Sequence, residues 1–504
     1  MFMTEVDQRV ESVRMEDALQ GKEAPIPAKI DPTFDGAGSA CATKSDFAKT
    51  LMLILLVGGL ARIALWMWFQ GEPLHVWDER DYNLLAKNLV VHGEYCFEPG
   101  SPTSLRPPLY PALVAGSYAL FGLESFQAVR LMQAVLGLLT GLVLCGLGTR
   151  VHSKNVGLLL AGLSCFYPSL ICQTNLLLTE TLFTLLLCLV CYALVLFYQR
   201  DSLKYLAAAG VLLGLAALTR SVVWMSPPCL AVIIVITWKA PWRRRFLAPI
   251  ILLATFAVTL APWSIRNTML QGTFVAVDTM GGRNFMMGNY RYTPLYRSWD
   301  TISIKGPEAW DHEVASTYPP EMRNSQAKVD QLALRQGLKF VREHPWLTLQ
   351  RDIIKFFDFW GLEREIVAGA AYGYWGKMPK ALIICLGVLI VGSYVAVMFL
   401  GIYGMVMAPL ADRRLHWLFL LVIAYICAIH TLVFAHSRYH LPIMPVVFLF
   451  ASISLVNAPD IWRRRTTWRS WLAAGLCCLL FGGWIWNFVA GDAEKVLAIL
   501  LASA

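Results

Sequence analysis

Residues 108–122 read Pro108-Leu-Tyr-Pro-Ala-Leu-Val-Ala-Gly-Ser-Tyr-Ala-Leu-Phe-Gly122, a short apolar run opened by Pro107-Pro108. Whether this run crosses a membrane decides which side every later loop faces. About eleven other apolar runs surround it, near 47–69, 126–149, 155–173, 179–198, 204–219, 222–238, 246–263, 381–408, 415–435, 440–457 and 470–490. A bilayer span takes roughly 20 mostly apolar residues. In such a chain the spans are helices, because irregular backbone has no partners in lipid. Basic residues cluster in five connections: Arg150/Lys154, Arg200/Lys204, Lys239 to Arg245, Arg413-Arg414, and Arg463 to Arg469. If 108–122 stays on the surface and the N-terminus is inside, all five connections are cytoplasmic. If it crosses, all five lie outside. Cytoplasmic loops carry the excess of Lys and Arg, so 108–122 is expected to lie along the outer surface as a juxtamembrane helix.

Composition agrees. Of 504 residues, 57% are hydrophobic and only 15% charged, against about 25% charged in soluble domains. Mean hydropathy is +0.53. These values exclude a disordered chain, a collagen, a small disulfide scaffold and a soluble multidomain enzyme. The net charge of +9 resides in the short loop clusters, so it reads as membrane orientation and implies no nucleic acid. The 18 Trp suit two interfacial belts. Most of the 12 Cys lie inside apolar runs, and only Cys96 falls in an external segment. Cys188 and Cys191 match CxxC but sit within a span, without zinc or redox context. Gly137/Gly141 and Gly210/Gly214 form GxxxG pairs suited to close helix packing. Residues 324–343 look helical, with Pro345 following.

The expected fold class is therefore an all-α polytopic membrane protein of about 11 spans. Residues 1–46 are polar and read as a disordered cytoplasmic tail. Residues 70–125 and 264–380 are the two long external segments, and 381–504 carries the C-terminal spans.

Ionisable residues within spans are costly and mark function or pairing. Here Arg62, Arg130, Glu180, Arg220 and His430 fall toward the outer ends, with Arg266 and His436 to His440 just beyond. The asymmetry implies a polar cavity open at the outer leaflet. Any one Arg taken alone is better explained by snorkelling; the set as a whole favours the cavity. The first external segment contains Trp77-Asp78-Glu79-Arg80-Asp81-Tyr82. Taken alone, such a pair is more often a helix cap or a solvated acidic cluster. An ionised carboxylate there could also accept the proton of an attacking hydroxyl. Arginines at the same depth would suit an anionic leaving group. Phosphate-loop, dinucleotide, HExxH and GxSxG motifs are absent from the sequence. His436 and His440 are four apart, a spacing that could hold a metal on a helix, but no third ligand is evident.

Several ordered blocks resemble the GT-C membrane glycosyltransferases, including bacterial relatives of dolichyl-phosphate-mannose protein mannosyltransferases and the aminoarabinose lipid A transferase. They are Asp78-Glu79-x-x-Tyr82 with Ala86 and Gly93, Arg106-Pro107-Pro108-Leu109-Tyr110-Pro111, Leu120-Phe121-Gly122 with Arg130, Leu178-Thr179-Glu180, Ala261-Pro262-Trp263-Ser264-Ile265-Arg266-Asn267, Gly288-Asn289, and His436-Ser437-Arg438-Tyr439 with Pro442. The resemblance covers roughly 50–455. It implies a GT-C-like bundle whose catalytic core is 47–263 with its external loop 70–125. It also implies an inverting transferase (hexosyl or pentosyl) that moves one sugar from a polyprenyl-phosphate donor to an acceptor hydroxyl. The acceptor would be a lipid, a glycan or a protein. By the resemblance, Asp78 is the catalytic base and Glu79 orients the acceptor or the loop. Arg438 binds the donor phosphate, with Arg266, Arg220 and Tyr439 as further candidates. Glu180, Tyr82, Arg106 and His436 line the cavity. The family donor needs no nucleotide, and the one cofactor the resemblance leaves open is a divalent metal, which some relatives bind near this site. The expected setting is a bacterial inner membrane with the site on its extracytoplasmic side. The large segment 264–380 departs from relatives whose soluble domain is C-terminal. The rival expectation is a transporter or flippase of a lipid-linked or anionic solute, which would show polar groups at both faces or near mid-bilayer.

Overall fold

The computed structural model of the protein describes residues 44–374, 376 and 378–492. All but the last residues of the expected tail over 1–46 thus lie outside the described residues. Among the described residues there is no strand, only the isolated bridges Cys96–Pro102 and Tyr374–Gly376. The N-terminal helices are α1 (Lys44–Trp68), α2 (Trp77–His92), α3 (Leu109–Phe121), α4 (Phe126–Val151), α5 (Lys154–Phe166) and α6 (Pro168–Gln173). Next come α7 (Glu180–Arg200), α8 (Leu203–Thr219), α9 (Ser226–Thr237) and α10 (Trp242–Gln271). The large loop segment holds α11 (Gly281–Gly288), α12 (Trp310–Thr317), α13 (Pro320–Arg323), α14 (Gln326–Glu343), α15 (Pro345–Phe359) and α16 (Arg364–Ala371). The C-terminal helices are α17 (Lys380–Met407), α18 (Arg413–Leu432), α19 (Met444–Val456), α20 (Ala458–Arg463) and α21 (Trp468–Asn487).

Among the described residues, eight helical stretches are long and apolar enough to cross a membrane: α1, α4, α7, α10, α17, α18, Ser437–Val456 and Trp468–Ala490. Three shorter ones, α5, α8 and Ser221–Thr237, coincide with the remaining expected spans. The chain is a multi-pass membrane protein. The fourth short apolar helix is α3. Its 13 residues rise only about 20 Å, short of the ~30 Å hydrocarbon core. That length suits a surface helix. Tyr110, Val114 and Tyr118 of α3 are buried, while Leu120, Phe121 and Leu123 at its end are exposed. α3 packs on α2 through the Tyr82–Tyr110 ring contact (5.1 Å) and the bond from the Tyr118 hydroxyl to Asn83 Oδ1 (2.7 Å). Gly93, at φ 69°, ends α2 in the left-handed region that favours glycine.

Burial identifies the middle of the bundle. In α7 and in Ser437–Val456, 83% of the most apolar window is buried, against 11% in α1. The first two are therefore central and α1 is peripheral, with Met52, Leu56 and Leu60 facing outward. The GxxxG pairs do bring helices together. A Cβ on Gly141 would meet Cys165 Sγ of α5 at 2.6 Å, and one on Gly210 would meet Leu252 O of α10 at 2.6 Å.

The run 155–173 was expected to be one helix, and it is not. α5 stops at Phe166, Tyr167 is extended (ψ 117°), and α6 starts at Pro168. Proline lacks an N–H and pushes its predecessor out of the helical region. Carbonyls at this break and in the turn after α6 are taken by side chains. Arg62 donates to Cys165 O (2.7 Å), to Ser164 O (3.4 Å) and to Gly58 O (3.1 Å). Arg130 donates to Asn175 O (3.1 Å), and Gln133 to Thr174 O (3.1 Å) and Leu176 O (2.8 Å). Arg62 and Arg130 are both buried, so neither snorkels and both tie irregular backbone together. Elsewhere α14 begins at Gln326, with the Ser325 hydroxyl accepting from Lys328 N. α10 continues beyond residue 263 to Gln271 despite Pro249 and Pro262 within it.

Candidate active site

Helix α2 starts at Trp77, so Asp78 and Glu79 both fall in its first turn, with Val76 as the residue before the helix. The two carboxylates then diverge. Glu79 is buried and turns back into the protein. Its Oε2 accepts the backbone N–H of His75 (3.0 Å) and Val76 (2.9 Å), and its Oε1 accepts that of Leu177 (2.8 Å). Glu79 therefore clamps the first external segment to the strand-like turn before α7. Asp78 points the other way, into a cluster of guanidinium groups.

Each Asp78 oxygen meets a different arginine. Oδ1 accepts from Arg106 Nη2 (2.8 Å), and Oδ2 accepts from Arg438 Nη2. Arg106 also donates to Asp81 Oδ2 through Nη2 (2.7 Å) and Nε (3.2 Å). Asp81 is one helical turn after Asp78, so both project from one face of α2. Arg438 Nε lies 3.8 Å from Glu180 Oε1, and Arg220 Nη1 lies 2.9 Å from the same oxygen. Arg220 also donates to Thr179 Oγ1 (3.2 Å). Glu180 opens α7 and Arg438 opens Ser437–Val456. The two most buried spans thus deliver these charges from their ends, and Arg220 arrives where α8 stops.

Aromatic rings back the cluster. The Arg106 guanidinium lies 5.6 Å from the Tyr82 ring, and Arg220 and Arg438 lie 5.2 and 5.4 Å from the Tyr439 ring. His436 accepts the Arg438 backbone N–H at Nδ1 (3.2 Å) and packs on Trp299 and Tyr439. Tyr82, Arg106, Glu180, Arg220, Arg438, Tyr439 and His436 are thus gathered around Asp78. Arg266 is not. It donates to Asn267 Oδ1 (2.7 Å) and to Thr103 O, and lies against the Trp263 ring (4.7 Å). It braces α10 against the 95–103 loop.

Electrostatics follow from this packing. Burial alone would raise the Asp78 carboxyl, but Arg438 and Arg106 outweigh it and hold it well below the usual carboxylate range. For Asp81 burial wins over Arg106 and the carboxyl is raised. Burial pushes the Tyr82 hydroxyl up to about 12. Arg106 is held above its ordinary value: burial would lower it, but Tyr82, Asp78 and Asp81 oppose that.

Sequence reasoning missed Asp81 as a site residue, although its i, i+3 relation to Asp78 was a usable signal. It also missed Asp278. That residue accepts the Met280 backbone N–H (3.3 Å), bonds Ser221 beside Arg220, and is pushed up to about 6 by burial. The His436/His440 pair does not make a metal face. The two lie on a 3₁₀ segment, Ser437–Ile443, and its cap, where four residues turn side chains about 120° apart. His440 Nε2 meets Glu363 Oε1 (3.0 Å), an oxygen that also accepts the Tyr167 hydroxyl (2.7 Å). This buried group anchors the segment that carries Arg438. Among the described residues no three His, Cys, Asp or Glu side chains converge as a metal cage. Asp78, Asp81 and Glu180 each face a guanidinium group. All eleven cysteines among the described residues are free thiols.

Residues 105–265 match the family model described as dolichyl-phosphate-mannose-protein mannosyltransferase. No curated protein matches the chain. Among solved structures, the oligosaccharyltransferase AglB of Archaeoglobus fulgidus with an inhibitory peptide and a dolichol-phosphate is 14% identical at a TM-score of 0.49, covering 89% of this chain and 56% of that one. The same organism's oligosaccharyltransferase with Zn and sulfate is 15% identical at 0.46, covering 86% and 52%. ArnT of Cupriavidus metallidurans bound to undecaprenyl phosphate is 13% identical at 0.37, covering 83% and 79%. The chain spans little more than half the length of the archaeal structures. Over residues 105–265 it is similar to the dolichyl-phosphate-mannose-protein mannosyltransferases, a group of GT-C membrane glycosyltransferases to which its sequence motifs also point.

Proposed function

We propose that the protein is an inverting glycosyltransferase that moves one sugar, a hexose or pentose, from a polyprenyl-phosphate donor to an acceptor hydroxyl. The observation that carries this reading is one carboxylate, Asp78, held among Arg106, Arg438 and Arg220 where the central spans end. A phosphate ester seated against these arginines would have its developing charge stabilised as the sugar leaves. Asp78 takes the proton of the acceptor hydroxyl as it attacks the anomeric carbon. Arg438, Arg220 and Tyr439 form the donor-phosphate side, and Tyr82, Arg106, Glu180 and His436 shape the cavity. Glu79 orients the loop through its three backbone bonds. Arg266 acts as a wall residue. The division into core 47–263, external segment 264–380 and C-terminal spans 381–504, with the site on the extracytoplasmic side of a bacterial inner membrane, belongs to the same proposal.

The broken α5–α6 is a feature that a transporter would share. The carbonyls at this break and in the turn after α6 are spent on Arg62, Arg130 and Gln133 rather than open to a solute. That supports transfer over transport. The test compares polyprenyl-phosphate sugars by lipid mass spectrometry in cells carrying wild type or Asp78→Asn at matched expression. Accumulation of one sugar-phosphate lipid with loss of a glycosylated product is expected. An unchanged lipid pool and glycan profile would sink the assignment.

A further inference from the structure

In the arrangement just described, Asp78 is badly placed to act. Both of its oxygens are occupied by guanidinium groups, and it is held far into the ionised, weakly basic range by Arg438 and Arg106 against its burial. A general base works best when its proton affinity approaches the operating pH. The site is also self-neutralised: Asp78, Asp81 and Glu180 stand against Arg106, Arg220 and Arg438. Something must break this set before Asp78 can accept a proton.

The two arginines differ in what else holds them. Arg106 makes two bonds to Asp81 and one to Asp78, so it keeps an anchor if it leaves Asp78. Arg438 has one strong partner in Asp78 and a looser one in Glu180 at 3.8 Å. Its side chain is 21% exposed, which leaves it reachable by an incoming anion. Its backbone stays fixed through His436 and through His440 with Glu363.

We propose that the donor unmasks the base: a lipid-linked phosphate competes with Asp78 for Arg438, Asp81 retains Arg106 as a positioning residue, and Asp78 Oδ2 is freed for the acceptor. This rests on the transferase reading above. The step that follows is balanced. The acceptor oxygen bonds to the anomeric carbon while the bond from that carbon to the phosphate oxygen breaks. The electron pair passes to the phosphate, which leaves as the polyprenyl phosphate dianion, and the hydroxyl proton passes to Asp78. Donor must then bind before acceptor, and Asp78 is restrained while no donor is present.

Binding of a polyprenyl monophosphate to the full chain in lipid nanodiscs tests this without knowledge of the acceptor. Asp78→Asn removes the competitor and should tighten binding by about tenfold or more. Arg438→Ala should weaken binding and abolish that gain in the double variant. Asp81→Asn removes an equal charge from the same helix face without touching Arg438, and should leave affinity within about twofold of wild type. If Asp78→Asn does not fold, Asp78→Ser serves the same comparison. Equal tightening by the Asp78 and Asp81 variants would mean simple charge repulsion and overturn the proposal. So would an unchanged affinity in Asp78→Asn alongside a weakened Arg438→Ala, and that result would leave the transferase reading standing. No binding by either wild type or Asp78→Asn would remove the transferase reading and this proposal with it.

Discussion

At the scale of single residues, neighbours that look alike in sequence have separate tasks. Asp78 and Glu79 are adjacent carboxylates, yet one meets two arginines and the other three backbone N–H groups. Helix geometry separates them, because adjacent positions point about 100° apart. Asp278 supplies a pH test. Burial pushes its carboxyl up to about 6, above the unfolded value near 3.9. The stabilisation from keeping it protonated is complete below about pH 4 and is lost as pH rises through about 6. Asp278→Asn should therefore raise thermal stability at pH 7.5 by on the order of 2 kcal/mol and change little at pH 4. Thermal unfolding in detergent at both pH values would check this. Equal effects at the two pH values would show that Asp278 is not buried in the charged form.

At the scale of elements, the apolar runs made the helices legible, but α5 stops at Phe166 short of 173 and α10 runs on past 263 to Gln271. The depth of Glu180, Arg220 and Arg438 was also legible, because topology puts them at one end of the bundle. What remained hidden was the partner of each charge. Arg62 and Arg130 carry the same sequence signature as Arg220, an arginine in an apolar run. They face backbone carbonyls, Arg62 at the Tyr167–Pro168 break and Arg130 in the turn after α6, whereas Arg220 faces a carboxylate. Hydropathy contains no term for that difference, although Pro168 announced the break. Small residues, by contrast, were read correctly as packing sites. Gly210 abuts Leu252 O and Thr255 of α10. Gly210→Leu should cost roughly 1–3 kcal/mol or more through forced separation of α8 from α10. A fall in melting temperature with a shift toward aggregation on size exclusion would be the readout, and unchanged stability would refute close packing there.

At the scale of the whole molecule, topology is the premise on which the site reading stands. The 98–101 loop is exposed, and Arg244 begins a basic span end. Ser101→Cys should react with a membrane-impermeant maleimide in spheroplasts, and Arg244→Cys only after permeabilisation. The reverse pattern would put Asp78 on the cytoplasmic side. In the large segment between α10 and α17, the helix over 324–343 was legible and appears as α14. The segment's contribution of Glu363 to the anchoring of His440 was not, since nothing in spacing joins residues 77 positions apart.

The surface helix α3 has a consequence for the lipid around the protein. Its buried face braces Tyr82 behind Arg106, and its far end shows Leu120, Phe121 and Leu123 to the outside. In the topology expected from the sequence, such an end would float at the boundary between headgroups and acyl chains. The phosphate of the donor proposed above would ride at that same boundary. A thicker or thinner bilayer would move the phosphate plane relative to a bundle whose height is set by its spans. The proposed transfer should then peak at one acyl-chain length in reconstituted vesicles and fall on either side, so that the protein works as a gauge of membrane thickness.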